Sequence, residues 1–378
     1  MREVRIIGVG MIPFGKYPDK TLADIAWPAV EAAVRDAGIS PEEIDGAYCG
    51  TALGGMLAGQ RILKPLGMCG IQIINVENAC SSSSSAIHLA WGDVASGKCE
   101  TALVVGAEKL TKFGGGTLPL EREDWEVNRG MVMPALYGMR ARRYMYERGL
   151  TDEQLADVSV KAHKHGALNP NAQIRRTFTR EEVMAARPVA DPFTLLHCCP
   201  TGDGAAAIVL QAANGTRAHS RAVRILASEV TSGYYAPGYR DMTRAEITER
   251  SARAAYEAAG LGPADIDVAE VHDAFTIAEL MYYEAFGFCE HGAAYALLAE
   301  GETSLGGRIP VNPSGGLLSR GHPIGATGAA QIVEIVEQLR GEAGARQIEG
   351  AQIGLAHCTG GGIGGLDHGA CSVHILSA

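Results

Sequence analysis

AAVRDAGISPEEIDGAYCG, residues 32–50, and AAYEAAGLGPADIDVAEVH, residues 254–272, share eight of 19 positions without a gap, at an offset of 222. In each copy an alanine-rich amphipathic helix stops at a glycine, Gly38 or Gly260, as a left-handed C-cap requires. A proline, Pro41 or Pro263, then opens a short acidic turn, and an apolar segment starting at Ile44 or Ile266 enters a strand. Chance likeness between alanine-rich helices does not explain shared glycine, proline and Ile-Asp punctuation. One structural unit is written twice.

Each copy continues in the same way. Residues 81–96 form a helical pattern followed by TALVVGAE, and residues 325–341 form another followed by AQIGLAHC. Strands alternating with helices predict an α/β class of sheets covered by helices. The pattern breaks over residues 113–195, where three glycines, Trp125, several Arg and Met residues and NPNAQ replace it. This predicts a first half of residues 1–112 plus 196–222, an inserted loop domain at 113–195, and a second half at 223–378.

With 378 residues, 47% hydrophobic and 20% charged, the chain is long enough for two cores and shows no sign of disorder. No apolar run approaches the roughly 18 residues of a membrane span, and MREVRIIGVGMIPFGK is broken too early for a signal peptide. The expectation is a soluble cytoplasmic protein. A formal charge of −10 excludes nucleic acid as the main partner. Nine cysteines without a secretory leader predict free thiols, and the absence of any CxxC pair predicts no metal.

Four segments carry chemistry: Cys80 in NVENACSSSSSAIHLA, His272 in EVHDAF, His322 in SGGLLSRGHPIGATGAAQ, and Cys358 in HCTGGGIGG. The five serines after Cys80 are flanked by apolar sequence, which predicts a buried, closely packed helix rather than a linker. Cys80 would then stand at a helix N-terminus, where backbone N–H groups favour the thiolate; lowering its pKa from about 8.5 to about 7 raises the thiolate fraction roughly 15-fold at neutral pH. His322 holds the corresponding place in the second half, so the two helix starts are expected to face each other. His272 ends the repeated strand and is placed to donate from Nε2 to a carbonyl oxygen, while Asp273 orients the segment or caps the following helix. Cys358 precedes glycines that bring backbone donors close to a ligand. Basic residues for an anionic ligand are sought at Arg140, Arg142 and Arg143. Cys49, Cys69, Cys99, Cys198, Cys199, Cys289 and Cys371 have no comparable surroundings and are read as structural.

These motifs resemble the thiolase superfamily over nearly the whole chain, and within it the sterol-carrier-type and archaeal branch, in which His-Asp-Ala-Phe replaces Asn-Glu-Ala-Phe. The resemblance implies two βαβαβαββ halves in five αβαβα layers with an inserted loop domain. It implies Cys80 as acylated nucleophile, His322 as its base, Cys358 as acid/base thiol and His272 as part of an oxyanion hole, with Gly360 and Cys80 giving N–H groups to the acyl oxygen. Coenzyme A is then a substrate, with no tightly bound cofactor. The expected partners are a second copy of the chain and a small zinc-finger/OB-fold protein. Benzoylsuccinyl-CoA is one expected substrate; a thiolase-like aldolase and a non-catalytic acyl-CoA-binding scaffold stand as alternatives.

Overall fold

The computed structural model describes residues 1–213, 220–234, 240–362 and 368–378. The end of the glycine run after Cys358, residues 363–365, and part of the expected junction between the halves, residues 214–219, lie outside them. The main strands are β1 (Val4–Met11), β2 (Gly46–Gly50), β3 (Gln72–Val76), β4 (Thr101–Lys109), β5 (Asp203–Ala212), β6 (Val223–Thr231), β7 (Val268–Glu270), β8 (Ile353–Gly360) and β9 (Ala370–Ser377). The main helices are α1 (Leu22–Ala37), α2 (Ala58–Leu63), α3 (Ser82–Ser96), α4 (Met133–Arg148), α5 (Asp152–Gly166), α6 (Glu246–Ala259), α7 (Thr276–Ala285) and α8 (Thr327–Leu339).

The duplicated sequence makes a duplicated path. Strand order is β3-β2-β4-β5-β1-β6-β9-β8-β7. Read outward from the β1/β6 junction, each half runs first strand, last strand, penultimate strand, second strand. Among the described residues a third strand follows in the first half only; in the second, Val311 makes a single parallel bridge to Ala269 at that place. The halves are joined edge to edge by only two residue pairs, Arg5 with Arg224 and Ile6 with Val223. Gly38 and Gly260 both cap their helices in the left-handed region, at φ 63° and 68°. Pro41 and Pro263 each open a 3-10 turn.

Three apolar clusters define the layers. Ile25, Ala29 and Val30 of α1, with Ile62 of α2, pack against Ile7, Leu103 and Val209 on the outer face of the first half. Ala86, Ile87 and Ala90 of α3 and Ala330 and Val333 of α8 fill the middle, against Val104 and Ile208 on one side and Val268 and Leu376 on the other. Ala252 and Ala255 of α6, Leu280 and Tyr283 of α7, and Tyr137 and Tyr144 of α4 cover the outer face of the second half, with Val373 and Ile375. This is the layered αβαβα arrangement.

The serine run is a buried helix start. Ser81 through Ser85 are at most 4% exposed. Their hydroxyls find partners on surrounding elements, as buried polar groups must. Ser81 donates to the Cys358 carbonyl at 3.3 Å, Ser84 contacts His374 Nε2 at 2.8 Å, and Ser83 accepts from the Ala329 N–H at 3.0 Å. Glycines let α3 approach its neighbours. A Cβ on Gly50 would lie 2.3 Å from the Ser83 Cα, one on Gly106 2.7 Å from the Ser83 Cβ, and one on Gly328 2.6 Å from the Ser84 Cβ.

Gly328→Val is therefore expected to overpack the α3/α8 contact and cost about 1–3 kcal/mol or more. Denaturant unfolding of the purified variant checks this; an unchanged midpoint would show that the two helix starts are not in contact.

Candidate active site

A strained turn presents Cys80. Ala79 has φ +49°, a left-handed conformation that costs a non-glycine residue about 1–3 kcal/mol unless its surroundings hold it. The surroundings do so here. Glu77 Oε1 accepts from the Ala79 N–H at 2.7 Å, Ser82 Oγ donates to the Ala79 carbonyl at 2.5 Å, and Asn78 Nδ2 donates to Ser85 Oγ at 2.8 Å. Cys80 lies in the 3-10 turn Ala79–Ser81 that leads into α3, and it is half-buried.

The end of β8 packs directly on this turn. A Cβ on Gly360 would stand 2.1 Å from the Asn78 carbonyl oxygen, so only glycine allows the approach. The Cys358 thiol lies 3.0 Å from the Cys80 carbonyl oxygen and 3.3 Å from His272 Nδ1. The rings of His272 and His322 meet edge to face, with centroids 5.0 Å apart. One ligating atom from each of Cys80, His272 and His322 lies within 4.8 Å of the others. The four residues singled out from sequence thus occupy one site.

The His322 tautomer follows from its partners. Thr327 Oγ1 lies 2.7 Å from His322 Nδ1 and donates its own proton to the Pro323 carbonyl at 3.1 Å. With that proton committed, the hydroxyl oxygen accepts from Nδ1–H, which leaves a lone pair on Nε2.

Burial, not the helix terminus, governs the resting charges. It pushes the Cys80 thiol up to about 12, opposed by the N–H groups of Gly361 and Cys80 and reinforced by Glu108. Burial, with help from Arg320, brings His322 down to about 3, and it holds His272 well below the usual imidazole range. Burial and the nearby Cys80 raise Cys358 well above the ordinary thiol range. The expected thiolate near pKa 7 is therefore corrected: the unliganded pair is a neutral thiol beside a neutral imidazole. The donor reaching the Cys80 sulfur from the glycine run is the N–H of Gly361.

A polar scaffold aims His272. Asn312, at φ +55°, accepts from the Val271 N–H at 2.8 Å, and Ser314 donates to Glu270 at 2.7 Å. Glu270 also pairs with buried Arg320 at 2.9 Å. Asp273 caps the short helix Gly316–Arg320 through the Leu317 N–H at 2.6 Å, rather than α7, which follows it in sequence. On the other side Glu108 accepts from the N–H groups of Ala52, at 2.9 Å, and Gly325, at 3.2 Å, tying the first half to the segment after His322.

Comparison with known proteins gives the family. The family model for the thiolase N-terminal domain matches residues 4–214, and the one described as thiolase C-terminal domain-like matches residues 228–371. The chain belongs to the thiolase family. It is 42% identical to the benzoylsuccinyl-CoA thiolase subunit BbsB of Thauera aromatica, covering 96% of this chain and 95% of that protein. It is also 42% identical to an acetyl-CoA acetyltransferase of Methanothermobacter thermautotrophicus over 100% of both, and 39% identical to sterol carrier protein 2 of Homo sapiens over 97% of this chain and 71% of that protein. Among solved structures, one described as an Ltp2-ChsH2(DUF35) aldolase superposes with a TM-score of 0.86 at 27% identity, covering all of this chain and 98% of that one.

In this thiolase the three arginines of α4 have intramolecular work. Arg140 is buried and donates to the Met242 and Arg244 carbonyls at 3.0 and 2.7 Å; Arg142 forks onto Asp191 with two contacts of 2.6 Å; Arg143 pairs with Glu147. Each guanidinium has acceptors within the chain, while the side chains of Arg142 and Arg143 stay 43% and 45% exposed. Sequence reasoning also missed residues of the site. Cys199 N–H bonds the Ala274 carbonyl at 2.9 Å, and its thiol is near enough to Cys80 for their charges to interact. Adjacent cysteines carry no spacing signal, and no local pattern marked Thr327.

In the unliganded thiolase a raised Cys80 pKa means that thiolate appears only as pH rises well above neutrality. Iodoacetamide labelling of Cys80, followed by mass spectrometry, is expected to accelerate continuously from pH 6 through pH 9. A plateau reached near pH 7 would overturn the neutral-pair assignment.

Proposed function

We propose that this thiolase-family acyltransferase cleaves a 3-oxoacyl-CoA with free CoA, or runs the reverse Claisen condensation, through an acyl group carried on Cys80. The convergence of a thiol, a base with a free Nε2 and a second thiol on one site supports this reading. His322 Nε2 takes the Cys80 proton as the sulfur attacks the 3-keto carbon. Backbone N–H groups of Cys80 and the 360–361 segment, together with His272, receive the developing oxyanion; one such donor is worth about 3–4 kcal/mol of barrier. The bond between C2 and C3 breaks, and the expelled thioester enolate takes the Cys358 proton at C2, so the acyl-CoA that carries C1 and C2 leaves while the shortened acyl group stays on Cys80. Cys358, now a thiolate, removes the proton of an incoming CoA thiol, whose sulfur attacks the acyl group. Cys80 leaves and recovers its proton from His322. The cycle is ping-pong.

The neutral resting pair suits this chemistry. A base must be unprotonated to accept, and a buried site makes the transient thiolate-imidazolium pair dependent on the bound substrate.

Helix α4 brings apolar groups to the glycine run that follows Cys358. Gly361 donates toward Cys80, and a Cβ on the next residue, Gly362, would contact Met133 Sδ at 3.4 Å and Leu136 Cδ2 at 3.7 Å. We assign residues 113–195 the acyl-side contacts and expect a bulky apolar or aromatic 3-oxoacyl group, benzoylsuccinyl-CoA being one to test. Its free carboxylate would need a cation, for which Arg142 and Arg143 of α4, still 43% and 45% exposed, are the candidates. The edge strand β3, with Gln72 and Asn75 exposed, suits pairing with a second copy, and the DUF35 component of the similar aldolase structure supports a small partner protein.

That same similarity favours one second reading, an aldolase acting on a 3-hydroxyacyl-CoA without a covalent intermediate. Mass spectrometry of protein quenched during turnover separates the two. An acyl adduct on Cys80 is expected, and a bare Cys80 in a fully active enzyme points to the aldolase. Cys80→Ser should abolish both half-reactions, while Cys358→Ala should still acquire the adduct slowly from a preformed acyl-CoA.

Leu136→Trp is expected to lower kcat/KM for an aryl 3-oxoacyl-CoA relative to acetoacetyl-CoA by about tenfold or more. Equal effects on both substrates would remove α4 from the acyl pocket.

A further inference from the structure

Cys80, His272 and His322 come from three distant parts of the chain, so their spacing in sequence carries no metal signature. In space the signature is present. A sulfur and two imidazole nitrogens whose ligating atoms lie within 4.8 Å of one another are a Cys-His₂ donor set, the type that zinc selects. Tetrahedral zinc, with bonds of about 2.3 Å to sulfur and about 2.0–2.1 Å to nitrogen, needs donors roughly 3.3–3.8 Å apart. Rotation of the half-buried Cys80 side chain and small tilts of the two buried rings close the remaining gap.

The second layer of contacts also fits. A zinc-bound imidazole ordinarily gives its other N–H to an oxygen that fixes the ring. His322 does this already, through Nδ1–H to Thr327 Oγ1, at 2.7 Å, with Thr327 in turn anchored on the Pro323 carbonyl. His272 has a comparable support, with Cys358 Sγ 3.3 Å from its Nδ1. Cys80 is half-buried while both histidines are buried, so an ion would enter from the Cys80 side.

We propose that the site reversibly captures one thiophilic divalent cation, Zn²⁺ by preference, on Cys80, His272 and His322 Nε2. Capture exchanges the Cys80 S–H proton for the metal: one S–Zn bond forms, one proton leaves to solvent, and neither imidazole changes its protonation. Nucleophile and base are then both occupied. Zinc is an inhibitor competing with acyl-CoA, and it shields the most exposed thiol of the site from alkylation. The inhibition, though not the binding, rests on the thiolase reading above.

The test begins with the full-length protein freed of metal by chelator. Zinc is titrated in competition with a chromophoric chelator, and Co²⁺ is added separately as a spectroscopic probe. Wild type should bind one ion in the micromolar range or tighter and give a sulfur-to-cobalt charge-transfer band. Cys80→Ala should lose that band and bind at least about 100-fold more weakly, and Thr327→Val should weaken binding about tenfold, the size of other second-layer effects. Matching melting temperatures exclude misfolding as the cause. Equal zinc binding by wild type and Cys80→Ala would make the ion an adventitious guest of other thiols, such as exposed Cys69, and would overturn the proposal. Zinc binding with no thiolase turnover in metal-free protein would instead refute the functional reading and leave the metal site standing. Turnover indifferent to zinc at saturating occupancy would remove the inhibition.

Discussion

The contact between the starts of α3 and α8 is the constraint on which the rest of the molecule depends. Each helix comes from one copy of the repeat, and each begins next to a reactive side chain. Bringing sulfur and imidazole together requires the two backbones to approach more closely than ordinary side chains permit. Glycine at 50, 106 and 328 removes the obstructing Cβ atoms, while serine at 81–85 offers small side chains whose hydroxyls bond to both halves. Larger apolar residues would bury more area but hold the helices apart. Polar atoms deep in the central layer are tolerated because each of these contacts supplies a partner.

The close approach also determines the electrostatics. A site in the middle of five layers has little water to stabilise isolated charge, so both thiols and both imidazoles rest neutral. A charged pair is then a feature of the reacting complex, not of the resting protein. The scaffold around the site consists of fixed hydrogen bonds. Thr327 fixes the tautomer of His322, Asn312 and Ser314 hold the end of the strand that leads to His272, and Glu108 links the loop at residues 51–53 to Gly325. Such preorganisation leaves little to be rearranged when a substrate arrives.

Much of this was legible in the chain. The repeat gave the shared strand path, its glycines gave the helix stops, and the serine run between apolar segments gave a buried helix. Cys80, His272, His322 and Cys358 stood out because each had a reactive atom beside glycines or a helix start. The third strand of the second half was not legible as missing, since Val311 sits in an apolar stretch that pairs at one residue only. The intramolecular acceptors of the α4 arginines were not legible, because charge in sequence does not reveal whether an acceptor is already at hand. Met242, Arg244 and Asp191 lie far along the chain from the guanidiniums they satisfy.

By itself the sequence determined the architecture and the reactive groups, because periodicity, capping and turn residues act over a few positions and are written locally. Only the tertiary structure decided the charge state of Cys80, the tautomer of His322 and the placing of Cys199 within electrostatic reach of Cys80. Those properties depend on desolvation and on partners brought together across hundreds of residues, and burial outweighs the local helix terminus. The same reason hides a sulfur and two nitrogens spaced for a metal ion: their separation along the chain says nothing of their separation in space.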